Sequence, residues 1–330
     1  MRIRFLFILC CLLLVIGIPG ARFAMFLSDS VAPDGELVVT VKPGSSLGMV
    51  SERLHKDGII SDPLQFRLLA RWKGVATRIH SGDYLFSEAA TPVAVLQRLV
   101  EGDVRRIRLT IPEGFTLREI ATRVERRGLG DAERFLRACS DPRFLNALEV
   151  TAASLEGHLF PETYLFEAGR PETDLIRAMV AELDRNLSPE LLAKAEKQNL
   201  NRYQLLTLAS IVQKEAGNVA EMPRIAAVFH NRLKRGIPLQ ADPTVIYGIA
   251  DFDGNLTRAH LKDPGPYNTY VNRGLPPGPI CNPGLDALRA TAAPADTRDL
   301  YFVARGDGTH KFSTTLKEHN RAVRRYQLRR

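Results

Sequence analysis

An α+β fold behind an apolar N-terminal segment is predicted by three observations in this 330-residue chain. Helical periodicity fills much of the second half, with apolar residues three and four apart over 172–186, 189–198, 201–217 and 222–235. Short strand patterns bounded by glycine open two segments that resemble each other, and a further pair at 300–313 reads as a hairpin around Gly306-Asp307-Gly308. Composition supplies the third observation: 45% apolar and 25% charged residues are the proportions of a folded globular chain and exclude disorder, collagen or coiled coil as the main state. The length favours two compact units. A net charge of +8 suits an anionic polymer or membrane surface and selects neither.

Residues 1–26 place Arg2 and Arg4 before an unbroken apolar run, Phe5 to Ile18, followed by Pro19, Gly20 and Arg22. This is a targeting segment, at the short end for a membrane-spanning helix and within range for a signal peptide. Uncleaved anchoring is favoured, because the small-x-small cleavage pattern is poor and Phe23–Phe26 continue the apolar character. The leading arginines put the N-terminus in the cytoplasm and the rest of the chain outside. Cys10 and Cys11 fall in this segment, which leaves Cys139 and Cys281 either as one disulfide or as two apolar thiols. No cysteine or histidine spacing suits a metal, and no cofactor is expected.

Sliding the sequence by 70 residues lays VKPGSSLGMVSERLHKDGI (41–59) over IPEGFTLREIATRVERRGL (111–129). Each copy reads as strand, glycine turn, hydroxyl N-cap (Ser46, Thr116) and short helix closed by a glycine (Gly58, Gly128). The first copy and the residues after it resemble the LysM-like modules that hold the amino-sugar backbone of peptidoglycan. The expected organisation is therefore an anchor over 1–26, a LysM-like module over 27–105, a second strand–turn–helix module over 106–150, and a mixed, helix-rich catalytic domain over 151–330. The texture changes at the turn-rich aromatic stretch LEGHLFPETYLFE, 155–167.

Chemistry concentrates after residue 200. In the helix expected over 201–217, ending at Gly217, Leu208, Ile211, Val212 and Glu215 share one face, so a carboxyl points the way the core side chains point. Burial and the negative helix end both disfavour its ionised form, the condition a general acid needs. The alternative is a surface glutamate paired with Lys214 or Arg224. In QADPTVIYG, Asp242 reads as an N-cap before Pro243, while Gln240 and Tyr247 are not explained by capping. Over 263–284, ten of twenty-two residues are proline or glycine. Tyr267, Asn268, Tyr270 and Asn272 give this stiff loop flat faces and amides suited to sugar rings. Asn282 and Pro283 are read as the start of a helix to about Ala293, and a basic helix from Leu316 closes the chain.

Taken in order, SIVQKEAG, AAVFHNRL, LQADPTVIYG, YNTYVNRGLPPGPICNPG and YFVARGDGTHKFSTTLKEHN resemble the MltG/YceG family of endolytic murein transglycosylases, over nearly the whole chain. One position departs: the family often has Glu-Lys-Glu where this chain has Gln213-Lys214-Glu215, and the family's catalytic glutamate corresponds to Glu215. The resemblance implies cleavage of MurNAc–GlcNAc bonds without water, leaving 1,6-anhydro ends, with Glu215 as acid and then base. Gln240, Tyr247, Asn268 and Tyr270 are the candidates for holding sugar, followed by Asp242 and Glu221, for which capping and an ion pair are sufficient alternatives. The implied partners are peptidoglycan strands, the cytoplasmic membrane and peptidoglycan synthases, with no nucleic acid. Two rivals are a Ser/Lys hydrolase of stem peptides built on Ser210 and Lys214, which are i and i+4 on one helix, and a non-catalytic peptidoglycan-binding scaffold.

Overall fold

The computed structural model describes residues 17–328. Most of the segment expected as an anchor, residues 1–16, lies outside them. Among the described residues no helix is long and apolar enough to cross a membrane. The chain is α+β, with many helices and small two-stranded sheets, and divides into two compact units.

Unit 1 comprises residues up to Ile107 together with Leu165–Arg170. Its first helix, α1 (Ile18–Ser28), accommodates Pro19 in its opening turn, where a missing N–H costs nothing. There follow β1 (Leu37–Val41), α2 (Leu47–Lys56), α3 (Pro63–Trp72), β2 (Gly82–Phe86) and α4 (Pro92–Glu101). β1 and β2 pair antiparallel, with Val39 opposite Tyr84, and the core gathers Phe26, Val39, Leu54, Phe66, Leu69, Tyr84 and Leu99.

Unit 2 takes residues 108–164 and 171–330, so the second strand–turn–helix lies in the same unit as everything after 171. The chain leaves unit 1 within β3 (Arg106–Thr110) and returns to it within β4 (Thr163–Glu167), which pairs with β3. Between them lie α5 (Leu117–Arg126), α6 (Ala132–Ala138) and α7 (Pro142–Ala147). The two repeat copies share their local geometry. Ser46 and Thr116 each accept an N–H bond three residues on, and Gly44/Gly114 and Gly58/Gly128 all have positive φ.

The rest of unit 2 is α8 (Glu172–Asn186), α9 (Pro189–Lys197), α10 (Arg202–Glu215), α11 (Met222–Lys234), α12 (Asp242–Gly248), α13 (Leu285–Ala292), the hairpin β5 (Tyr301–Ala304) and β6 (His310–Ser313), and α14 (Leu316–Tyr326). α10 packs against α11 and α13, and from Leu205 to Val212 every one of its residues is buried. Each large apolar side chain removed from water there contributes roughly 1.5–3 kcal/mol. Cys139 and Cys281 are both buried and free.

Three expected details differ. α10 ends at Glu215 with Ala216 extended, and Gly217 is not a left-handed cap; a Cβ there would lie 3.4 Å from the carbonyl oxygen of Gly308 at the hairpin tip. Asp242 does not cap α12, whose N-cap is Ala241. Asn282 does not start α13, which begins at Leu285 after Gly284, because its amide is drawn into the interior.

Candidate active site

Glu215 ends α10 half-buried. Packing desolvates its carboxyl and, with the nearby negative charge of Asp242, pushes its pKa up to about 8; the guanidinium of Arg232 opposes the shift in part. Among the described residues none hydrogen-bonds or ion-pairs with the carboxyl, so none of them consumes its proton or lone pairs. Lys214 and Arg224, the alternative partners read from sequence, are engaged elsewhere: the Lys214 ammonium donates to the Gly114 carbonyl (3.4 Å) and Arg224 Nε to Asp299 Oδ2 (2.7 Å).

Arg232, buried on α11, organises the floor beside Glu215. Its Nε donates to the Leu300 carbonyl (2.7 Å), and its Nη1 to the carbonyls of Leu239 (2.8 Å) and Pro238 (3.2 Å) and to Gln240 Oε1 (3.3 Å). Gln240 has φ 50°, a conformation uncommon for a residue with a side chain. It is held there on both sides, because its own N–H donates to the Thr269 carbonyl (3.0 Å) and the Ala241 N–H to Thr269 Oγ1 (3.0 Å). The exposed Gln240 side chain is thereby fixed between α11 and the proline-rich loop.

That loop is ordered by its asparagines. Asn268, buried, donates to the carbonyls of Asp263 (2.6 Å) and His260 (3.2 Å) and accepts from the Tyr270 N–H (2.9 Å). Its amide is committed to shaping the backbone that presents Tyr270. The Tyr270 hydroxyl donates to Asp242 Oδ1 (2.5 Å), joining two candidates 28 residues apart. Glu221 is used differently: its carboxylate accepts from the N–H (3.1 Å) and Nδ1 (2.8 Å) of His310, and it has no hydrogen bond to the other candidates. This contact holds the hairpin against the segment that follows Glu215.

A second carboxyl was not legible from sequence. Glu156, 5% exposed, accepts from the Leu117 N–H (3.2 Å), Asn282 Nδ2 (3.1 Å) and the Tyr247 hydroxyl (3.3 Å). Burial outweighs these bonds and pushes its pKa up to about 7. The Tyr247 ring in turn lies 4.8 Å from that of Tyr267. Gly157, with φ 80°, leaves the space that Pro279 occupies. Removing Glu156 to alanine strands three donors, so Glu156→Ala is expected to lose about 2–4 kcal/mol. Glu156→Gln should lose far less, since its amide can donate to a Tyr247 hydroxyl that then accepts. Chemical-denaturation midpoints of the two variants check this.

Ser210 and Lys214 form no nucleophile–base pair. Ser210 is fully buried, its hydroxyl donating to the Thr207 carbonyl (2.7 Å) and accepting from the Ile280 N–H (3.0 Å). Among the described residues no three His, Cys, Asp or Glu side chains converge as a metal would require. An open cleft of about 680 Å³ between Tyr203, His230, Lys234 and Arg273 includes none of the candidate residues.

Residues 39–325 match the model of the YceG-like family. An endolytic murein transglycosylase of Bacillus subtilis is 32% identical over 334 residues, covering 95% of this chain and 91% of the relative. One of Streptococcus pneumoniae is also 32% identical, covering 87% of this chain, which spans only 58% of that longer protein. The crystal structure of a YceG-like protein from Listeria monocytogenes superposes with a TM-score of 0.61 at 31% identity, over 87% of this chain and 98% of that one.

Proposed function

Because the chain belongs to the YceG-like family, we propose that it is a membrane-anchored endolytic transglycosylase that cuts MurNAc–GlcNAc bonds within peptidoglycan strands. Its relatives in B. subtilis and S. pneumoniae carry the name endolytic murein transglycosylase, and this chain is a lytic transglycosylase. One observation carries the reading of the site: a half-buried carboxyl at the end of α10, with no hydrogen-bond or ion-pair partner among the described residues, whose pKa burial pushes up to about 8.

In the proposed cycle Glu215 gives its proton to the glycosidic oxygen as the bond to C1 breaks, and the substrate's N-acetyl carbonyl supports the positive charge on C1. The carboxylate left behind takes the proton of the C6 hydroxyl, and that oxygen closes on C1. The proton returns to Glu215, no water is consumed, and a 1,6-anhydro end results. Ordinary glycosidases need a second carboxyl to handle water or form a glycosyl ester; here O6 of the sugar takes that part. Burial, with a smaller contribution from the charge of Asp242, keeps Glu215 protonated in the resting site, and Arg232 supports the carboxylate once the proton has left. Gln240, Tyr270 and Tyr247 hold the sugars, Asn268 shapes the loop that carries them, Asp242 positions Tyr270, and Glu221 fixes the hairpin through His310.

The proposal extends to place and partners. Arg2 and Arg4 before the run Phe5–Ile18 orient a single-pass anchor in the cytoplasmic membrane with both units outside. Unit 1, with its strand–helix–helix–strand order, acts as the LysM-like module that tethers glycan. An anchored cutter meets strands where synthases extrude them, and so ends their growth. Mass spectrometry of peptidoglycan treated with the protein tests the reaction: internal anhydro ends support it, whereas reducing ends, cut stem peptides or intact polymer reject it.

A further inference from the structure

α3 is apolar on two faces. Phe66, Leu69 and Ala70 enter the core of unit 1, while Leu64, Leu68 and Trp72, each four residues from the next, stand 54–70% exposed in one row. A helix that needs one buried face ordinarily makes the other polar. Around this row the chain is basic: Arg71, Lys73 and Arg78, with Arg67 facing Glu52 of α2 at 3.8 Å, are accompanied by no acid between residues 63 and 82. The row is tied to α1, since the Trp72 ring meets that of Phe23 edge-on at 6.3 Å, Arg22 acts electrostatically on Asp62, the N-cap of α3, and Phe26 is buried in the core. α1 itself starts at Ile18, the last residue of the apolar run.

We infer that the Leu64–Leu68–Trp72 face of α3 lies in the headgroup layer of the membrane that the N-terminal segment enters, with the surrounding cations on anionic lipid. The inference rests on the anchoring proposed above. Ile18 and Phe23 are five residues apart, about 8 Å of helix, and the headgroup layer is about 5–8 Å deep on each side. Trp72, held against Phe23, therefore falls at the depth where tryptophan is enriched. Leucines beside it and cations around it are the composition of an interfacial helix. Unit 1 would thus sit on the bilayer rather than swing from it.

Trp72 is the sole tryptophan of the chain, so its fluorescence reports on this face alone. The full-length protein is reconstituted in phosphatidylcholine–phosphatidylglycerol vesicles, with flotation after alkaline carbonate reading the anchor separately. The expected result is flotation with Trp72 quenched by lipid brominated near the headgroup and shielded from aqueous acrylamide. In a Leu64→Asp/Leu68→Asp variant, flotation should persist while quenching is lost and acrylamide access returns. A floating wild-type chain whose Trp72 is open to acrylamide, or is shielded without bromine quenching as a second protein copy would shield it, overturns the inference and leaves the anchor intact. Failure to float overturns both.

Discussion

Glu215→Gln is expected to abolish strand cleavage while making the protein more stable, and increasingly so as pH rises. A general acid–base residue contributes about 10²–10⁴-fold to rate, and here one residue serves both proton transfers, so loss at the upper end of that range is expected. The stability effect follows from linkage. With a folded pKa near 8 against the ordinary 4.5, both states are protonated below pH 4.5 and the site costs nothing. Between 4.5 and 8 the unfolded chain releases the proton and the folded one keeps it, so stability falls as pH rises. Above 8 both are ionised and the penalty is constant. Glutamine removes the penalty, so the gain of the variant should be near zero at pH 4 and grow to a plateau above pH 8. Since Glu215 retains some solvent contact, that plateau is on the order of 1–3 kcal/mol, below what the full shift would give at 1.36 kcal/mol per unit. Thermal unfolding of both proteins from pH 4 to pH 9 checks it. A stabilised, inactive protein is the expected signature of a residue retained for chemistry against the interest of the fold.

Arg232→Met should have the opposite character, losing stability and activity together. The guanidinium makes four hydrogen bonds, three of them to main-chain carbonyls, and its carbon lies over the Tyr301 ring at 5.1 Å. Methionine keeps much of the volume and leaves those acceptors unpaired, a loss of about 3–5 kcal/mol by analogy with broken buried pairs. For a unit of this size the melting temperature should fall by roughly 10 °C. Lysine is expected to rescue little, because one ammonium cannot span acceptors arranged for a planar fork. Activity of the surviving folded fraction should also drop, since Gln240 loses its clamp and the Glu215 carboxylate its cation. Circular dichroism melts and strand-cleavage rates measured on Arg232→Met and Arg232→Lys separate these effects.

What could be read in the sequence was local. The two strand–turn–helix copies, the hairpin at Gly306–Gly308 and the shared face of Leu208, Ile211, Val212 and Glu215 all follow from spacings of a few residues, and the structure reproduces them. The rest depends on contacts that no local spacing records. Glu156 is reached from Leu117, 39 residues before it, and from Tyr247 and Asn282, 91 and 126 residues after it. Its only local signature was an acid set between Leu155 and Gly157 in an otherwise apolar, turn-rich stretch. Asp242 reads as a cap because Asp-Pro commonly opens a helix. α12 takes Ala241 as its N-cap instead, which frees the Asp242 carboxylate for Tyr270. Asn282 likewise precedes a proline in the manner of a helix start and is instead drawn to Glu156, the Phe115 carbonyl and the Leu159 N–H. The role of Arg232 was hidden because its acceptors are backbone carbonyls, which carry no sequence signal.

The central claim is that one carboxyl, Glu215, performs both proton transfers and that water takes no part. Cleavage of uncrosslinked glycan strands in ¹⁸O-labelled water, by the wild-type protein and by Glu215→Gln and Asp242→Asn variants, tests it most directly. The expected outcome is anhydro ends free of ¹⁸O from wild type and none from Glu215→Gln. Asp242→Asn should still give anhydro ends, with activity lost at a somewhat lower alkaline pH, because burial still raises the Glu215 pKa and only the smaller contribution of the Asp242 charge is gone. Incorporation of ¹⁸O at the new ends, or cleavage that survives Glu215→Gln and disappears with Asp242→Asn, would contradict the account.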